Sequence, residues 1–298
     1  MTDINFKTAL LNVLRKTFLQ NSFMENRLRH ITKGKAPTHW LCRIVPNHYQ
    51  YTRPSIREWK EDHRRLELDL SDWMEWHLYF DFCDPSVERL LSLCKSGDSV
   101  LDVGANIGAT MAKLAKKAGT SGRVIGFEPD PVLFRKCQHH LLVNGFTQCE
   151  VYPLALGASV GRTRLRVRDP LNLGMNQIVP ENLGEAVIGT EVVLATLDKF
   201  VADHNLRKVS LLKIDVEGYE SHVLKGAERL LSQLRPRIFV EIDDDNLAEH
   251  GSSPEEIYDF LLALDYQLIF PPGAHVSDSG RSRHFDLVAI PKKLGTKA

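Results

Sequence analysis

Leu101-Asp102-Val103-Gly104-Ala105-Asn106-Ile107-Gly108 decides the fold. The apolar run 98–103 reads as a strand. Ile107, Met111, Leu114, Ala115 and Ala118, recurring on one face, read as the helix that follows. Outward from this turn the pattern repeats. Strands are expected at 123–127, 150–154, 209–216, 237–242, 266–270 and 284–290. Helices are expected at 130–143, from Val223 to Leu231, and from Ile257 to Leu264. Apolar strands alternating with amphipathic helices predict an α/β fold, with a mostly parallel sheet covered on both faces. Its crossovers should be right-handed. The stretch 157–200 breaks the rhythm with two further strands, 162–168 and 191–197, around a Gly/Asn-rich loop. It reads as an insertion on the substrate side of the sheet.

Upstream, the first 35 residues hold seven Lys/Arg and two acids, with Ile4, Leu11, Leu14 and Phe18 at helical spacing. An amphipathic helix is expected there, packed on its own domain or on a sister subunit, or lying on a membrane surface. Pro37, Pro46 and Pro54 then mark an irregular connector. The run 65–80 reads as two short strands around Ser71-Asp72. The chain thus divides into an N-terminal helical and hairpin extension, 1–82, and a main domain, 83–298, that includes the insertion.

The chain has 298 residues, with 38 Lys+Arg against 38 Asp+Glu. Zero net charge argues against a dedicated nucleic-acid binder. Cys42, Cys83, Cys94, Cys137 and Cys149 form no short-spaced pair, so neither a disulfide framework nor a zinc site is expected. No apolar run reaches the roughly 18 residues of a membrane span. Arg15 and Lys16 interrupt any secretory core. A cytoplasmic protein is the expectation.

In an open α/β sheet, ligands bind at the carboxyl ends of the strands. Gly104 suits the tight turn there, and Gly108 close helix–strand packing. A dinucleotide site wants a further glycine where this chain has Asn106. The Asn106 side chain would crowd a pyrophosphate, and the Asp102 carboxylate would repel one. Both suit an amino-acid-like cation such as S-adenosylmethionine: a carboxylate meets the ammonium, loop amides meet the carboxylate. Glu128, at the end of the second strand, can accept two hydrogen bonds from a ribose diol, which fits either cofactor. Its removal should weaken cofactor binding with little effect on folding. Pro129 stops that strand, and Asp130 is placed to cap the next helix.

These residues, with Asn144, Thr196-Leu197-Asp198, Leu212-Lys213-Ile214-Asp215-Val216-Glu217-Gly218-Tyr219-Glu220, Lys225-Gly226-Ala227 and Ile238-Phe239-Val240-Glu241, resemble the FkbM family of S-adenosylmethionine-dependent methyltransferases, over residues 65–270. The resemblance implies a class I methyltransferase (Rossmann-like) fold, whose seven-stranded sheet has its last strand antiparallel. It implies methyl transfer to oxygen, on sugars, glycolipids, polysaccharides or natural products. It also sets Ala155 and Leu156 near the adenine, and Asp215 closest to the transferred methyl. The cofactor set is then Asp102, Gly104, Ala105, Asn106, Gly108, Glu128, Pro129, Ala155, Leu156 and Asp215.

The chemical centre is expected where the strand 209–216 ends. Strand alternation puts Lys213, Asp215 and Glu217 on one face, and buried charges there must be paired or open to a cleft. The alternative is a structural Lys–carboxylate pair, with Glu217 favoured by a helix N-terminus. Asp215, Glu217 and Glu241 are the catalytic candidates. His222, on the following helix, has the pKa best matched to neutral pH. Asp215, Glu241 and Asp243 have metal-ligand chemistry, but the acids after Glu241 also suit a helix start, and no metal is assigned. Asn172 and Asn176 in the inserted loop, with His222, are expected on the acceptor side. Arg162, Arg164, Arg166 and Arg168 should share one strand face, either solvated or cradling a substrate anion. A small-molecule or glycan acceptor and a homo-oligomer through the N-terminal helix are the expected partners. The alternatives are a nicotinamide-dependent oxidoreductase on a similar sheet and a catalytically inactive binding protein of the same fold.

Overall fold

Val100, Leu101 and Val103 are buried on both faces of their strand, so that strand has to sit inside a sheet covered on both sides. The computed structural model describes residues 11–61, 64–180, 188–272 and 283–292. Among these, residues up to Pro85 together with Arg168–Gly174 form one compact unit. Ser86–Val167 and the described residues from Met175 onward form a second.

In the first unit, α1 (Ser22–Thr32) is capped by Asn21, whose side chain accepts the Met24 N–H. Two short 3-10 helices follow, Trp40–Ile44 and His48–Gln50. β1 (Ile56–Glu61) and β2 (Arg64–Asp69) then pair antiparallel, Trp59 opposite Leu66. Arg57 donates to Glu25 at 2.6 Å and ties the hairpin to α1. Next comes a helix, α2 (Trp73–Tyr79), where the sequence suggested a second strand. Asp72 decides this: its carboxylate accepts the N–H groups of Met74 and Glu75 and starts a helix. The strand run 64–69 instead finds its partner upstream. The expected single N-terminal helix is also divided. Helical residues from Leu11 pass into a π-helical turn, Arg15–Leu19, and stop before Asn21. Leu14, expected on the packed face, is exposed; Ile4 lies outside the described residues.

Helix α3 (Pro85–Leu93) starts on the last residue of the first unit's main segment, and from there the second unit alternates. Its elements are β3 (Ser99–Val103), α4 (Ala109–Ala118), β4 (Arg123–Phe127), α5 (Pro131–Val143), β5 (Cys149–Tyr152), β6 (Leu154–Leu156), β7 (Gly161–Arg166), β8 (Gln177–Ile178), β9 (Thr190–Ala195), α6 (Leu197–Asp203), β10 (Leu211–Ile214), α7 (Glu220–Lys225), α8 (Glu228–Gln233), β11 (Arg237–Asp243), α9 (Asp244–Glu249), α10 (Pro254–Ala263), β12 (Tyr266–Ile269) and β13 (His284–Pro291). The main sheet has seven strands in the order β12-β13-β11-β10-β3-β4-β5. Neighbours from β11 to β5 run parallel. β13 lies antiparallel between β11 and β12. The strand order reverses between β3 and β10, which is where such sheets bind ligands.

Leu212, Ile214, Ile238, Val240, Leu224 and Leu231 pack one face of this sheet; Met111, Leu114, Val124 and Leu211 pack the other. The inserted stretch, with β6, forms a separate four-stranded sheet in the order β6-β9-β7-β8. Part of the insertion, Arg168–Gly174, belongs to the first unit. β7 ends at Arg166, so Arg168 does not share a strand with Arg162, Arg164 and Arg166. Among the described residues, no helix is long and apolar enough to cross a membrane.

Candidate active site

Two loops meet where β3 and β10 end. The Asp215 N–H donates to the Val103 carbonyl at 3.1 Å. Gly104 has φ +81°, and a Cβ there would fall 1.9 Å from the Asp215 carbonyl oxygen. Only glycine permits this approach. Both Gly104 and Ala105 donate to the Phe127 carbonyl at 3.0 Å, which fastens the loop to β4. Asn106 has φ +52°, a left-handed backbone that Asn tolerates better than most residues. Its side chain folds back to accept the Ile107 N–H at 2.7 Å. Gly108, φ +82°, caps α4, where a Cβ would lie 2.7 Å from the Cys137 sulfur. The close packing at Gly108 is therefore helix against helix, not helix against strand.

Glu128 organises the same loop. One carboxylate oxygen accepts the Asn106 N–H at 2.8 Å, the other the Asp130 N–H at 2.9 Å. Glu128 is buried, and burial raises its pKa to about 7 despite both amides. Pro129 is half-buried between Glu128 and Asp130, which caps α5 through Val132 and Leu133.

Beneath the loop lies Lys213. Its ammonium donates to the Gly104 carbonyl at 2.8 Å and stands 3.2 Å from both Asp102 and Asp215. Burial works to lower its pKa, but the two carboxylates outweigh burial and keep it charged. Asp102 has 0% exposure, and neither of its oxygens has a hydrogen-bond donor besides this ammonium among the described residues. The sequence set Asp102 directly against the ligand; its carboxylate lies against Lys213 instead. The Asp215 side chain is 42% exposed.

Ligand atoms of Asp215, Glu217 and Glu241 come within 4.8 Å of one another. Glu217 does not arrive by strand alternation. β10 stops at Ile214, and Glu217 takes a left-handed backbone, φ +54°. It precedes α7 rather than lying in its first turn, and Asn246 donates to its carboxylate at 2.9 Å. Burial and the charges of Asp215, Glu217, Glu220 and Asp286 push the Glu241 carboxyl well above the ordinary range. His284 lies 3.5 Å from Glu241 and 2.9 Å from Asp243. Asp243 caps α9 through the Asn246 N–H, which accounts for the acids after Glu241 as a helix start.

The insertion reaches this centre at two points. Asn176 donates to Asp130 at 3.0 Å, beside Glu128. Gln177, with 0% exposure, donates to the Glu217 carbonyl at 2.9 Å and to Asn246 at 3.3 Å, and accepts from Arg166 at 2.8 Å. Asn172 belongs to the first unit, and Asn176 to the second. Ala155 and Leu156 are buried on β6. His222 lies on α7 with its ring stacked on Tyr219, centroids 4.2 Å apart. Sequence reasoning did not single out Gln177, Asn246 or Glu220. The first lay in a loop noted only for its amides. Glu220 accepts the Val216 and Gly218 N–H groups and so shapes the loop that carries Asp215 and Glu217.

A family model described as "Methyltransferase FkbM domain" matches residues 102–268, from the buried aspartate of β3 to β12. The chain belongs to the FkbM methyltransferase family. The FkbM match covers more than half of the chain. "Methyltransferase 1" of Beauveria bassiana is 28% identical over 161 residues, 49% of this chain and 64% of that protein. "2-O-methyltransferase NoeI" of Sinorhizobium fredii is 25% identical over 203 residues, 62% of this chain and 80% of that protein. A solved FkbM methyltransferase from Methylobacillus flagellatus is 19% identical with a TM-score of 0.44, covering 78% of this chain and 55% of that one. The chain thus spans less than two thirds of both the first of these relatives and the solved FkbM chain.

Proposed function

We propose that the protein is an S-adenosylmethionine-dependent O-methyltransferase whose acceptor is a hydroxyl of a sugar-containing molecule or natural product. One observation carries this reading. A buried ammonium, Lys213, ties the glycine loop at Gly104 to the acid at Asp215, so cofactor loop and reactive carboxylates form one centre. The residues suit the cofactor. Glu128 retains a lone pair on each oxygen for a ribose diol, and Asp215 offers an exposed carboxylate to a cation. The 2-O-methyltransferase among the relatives supports oxygen as the target. The nicotinamide alternative has no support in the family match.

Bound S-adenosylmethionine would supply an electrophilic methyl group on a cationic sulfur. The protein's own part is positioning and proton handling. Lys213 holds Asp215 by one oxygen and leaves the other for the ligand or the acceptor hydroxyl. Asp102 acts through Lys213, keeping that ammonium in place. Glu241 receives the acceptor's proton; burial and the neighbouring acids strengthen its hold on one. Asn246 and Gln177 fix Glu217 as a hydrogen-bond acceptor for the substrate. Half-buried Asn176, bound to Asp130, adds an amide that a hydroxylated acceptor can meet.

The test is calorimetric titration with S-adenosylmethionine, S-adenosylhomocysteine and NADH, followed by transfer assays on sugars, glycolipids and hydroxylated polyketides. Micromolar binding of the first two, about −8 kcal/mol, with methyl ether formation, is expected. Binding of NADH alone, or transfer only to nitrogen, overturns the reading. Cofactor binding without transfer to any hydroxyl would instead favour the inactive binding protein.

A further inference from the structure

Residues 11–50 hold seven Lys/Arg and a single acid, in a chain whose 38 Lys/Arg and 38 Asp/Glu balance only as a whole. That acid, Glu25, is buried against Arg57 and adds nothing to the surface. The same segment exposes Leu14, Phe23, Ile31, Trp40, Ile44 and Tyr49, with Phe23 at 66% and Trp40 at 67%. Among the described residues, all four exposed aromatic side chains, Phe23, Trp40, Tyr49 and Trp73, lie in the first unit. The described residues of the second unit present none.

Helix α1 shows how the segment is built. Glu25, Leu28 and Thr32 are buried. Phe23, Arg27 and Ile31 recur every fourth residue on its exposed side. The Arg27 guanidinium carbon sits 5.3 Å from the Phe23 ring centroid. Trp40 and Ile44 bracket the buried Cys42 in the next helical turn. The buried Arg15 donates to the Arg43 carbonyl and ties this turn to the chain's N-terminal part. Lys16, Arg27 and Arg43 are all exposed.

Exposed apolar and aromatic side chains alternating along one segment with exposed cations suit an anionic partner that is also apolar. A second copy of the chain would bring like charges together. A nucleic acid would use the cations and rings but leave Ile31 and Ile44 in water. A bilayer carrying anionic lipid satisfies both. Its headgroups meet Lys16, Arg27 and Arg43, the aromatic rings take the interfacial level, and the aliphatic side chains enter the acyl boundary. We propose that the N-terminal unit docks the protein on an anionic lipid surface. The proposal stands apart from the methyl-transfer reading and does not depend on it.

The experiment is co-sedimentation of the full chain with phosphatidylcholine vesicles, with and without phosphatidylglycerol. Binding is expected to the anionic vesicles only, and to weaken at about 0.5 M salt as screening shortens the reach of the charges. Each Lys/Arg held near an anionic leaflet contributes about fivefold in partitioning, so Arg27→Glu with Arg43→Glu should lower binding by about 25-fold or more. Trp40→Ser should lower binding too, with thermal unfolding unchanged because the side chain is exposed. Trp40→Phe should bind but lose the blue shift of tryptophan emission on vesicles. Equal binding to neutral vesicles, or no binding to either, overturns the proposal. So does concentration-dependent dimerisation that Trp40→Ser abolishes, or retention on single-stranded nucleic acid that outcompetes vesicles.

Discussion

Lys213 is the residue on which the site turns. It is buried between two carboxylates and a carbonyl, all within 3.2 Å. Removing one partner of a buried ion pair costs roughly 3–5 kcal/mol, because the other charge is left uncompensated. Lys213→Met should therefore destabilise the protein by about that amount in urea unfolding. Adding Asp102→Asn should recover a large part of the loss, since it removes the stranded charge. A double variant no more stable than Lys213→Met would rule out the coupling. Glu128 behaves differently from its sequence-based expectation. It takes two backbone N–H groups, so Glu128→Ala should cost roughly 1–3 kcal/mol of stability as well as cofactor affinity. Calorimetry on the folded fraction separates the two, and unchanged affinity there would remove Glu128 from the cofactor site.

At the scale of elements, the insertion is more than a surface loop. Gln177, on the two-residue strand β8, connects Arg166 of β7 with Glu217 and Asn246. The second sheet is thereby tied to the acid cluster of the first. Gln177→Ala should raise the KM for the acceptor several-fold, with S-adenosylmethionine affinity unchanged, because its bonds reach the Glu217 loop and not the glycine loop. Steady-state kinetics with each substrate varied in turn decides this. A loss confined to cofactor binding would place Gln177 in the other half of the site. The legibility of elements followed their burial. Strands β3, β4 and β11 and the helix capped by Asp130 are plain in the sequence because their apolar residues and caps are local signals. The helix at Trp73–Tyr79 reads as strand in the sequence because its aromatic residues suit a pleated surface; the Asp72 cap makes it a helix.

For the molecule as a whole, buried acids set the response to pH. Burial raises Glu128 and Glu220 from 4.5 to about 7, and Glu241 shifts in the same direction. The folded state therefore keeps protons that the unfolded chain releases above about pH 4.5. For Glu128 and Glu220 the contribution to stability is full below that pH and is lost as pH rises through about 7. Unfolding free energy should fall across that window. Glu220→Gln retains an amide oxygen for the Val216 and Gly218 N–H groups, and should remove part of the slope; each shifted pKa unit corresponds to roughly 1.4 kcal/mol. Urea titrations from pH 5 to about 8 measure it. An unchanged slope in the variant would mean that Glu220 is ionised in the folded state.

The sequence by itself determined the alternating α/β order, the glycine loop at the first strand's end, the acid at the second, and the family. Each depends on neighbours in the chain: hydrophobic period, a left-handed turn at Gly104 and Asn106, a cap at Asp130. The resemblance carried the seven-stranded sheet with its antiparallel strand. Tertiary structure alone decided that Lys213 joins the two loops, that Asp102 lies without exposure against it, that Gly108 meets Cys137, and that Gln177 braces Glu217. Apart from the arm from Lys213 to Asp215, those pairings are separated by from 29 to 111 residues in the chain. Their partners are chosen by which strands lie side by side and how deeply each charge is buried, and neither quantity is written in local sequence.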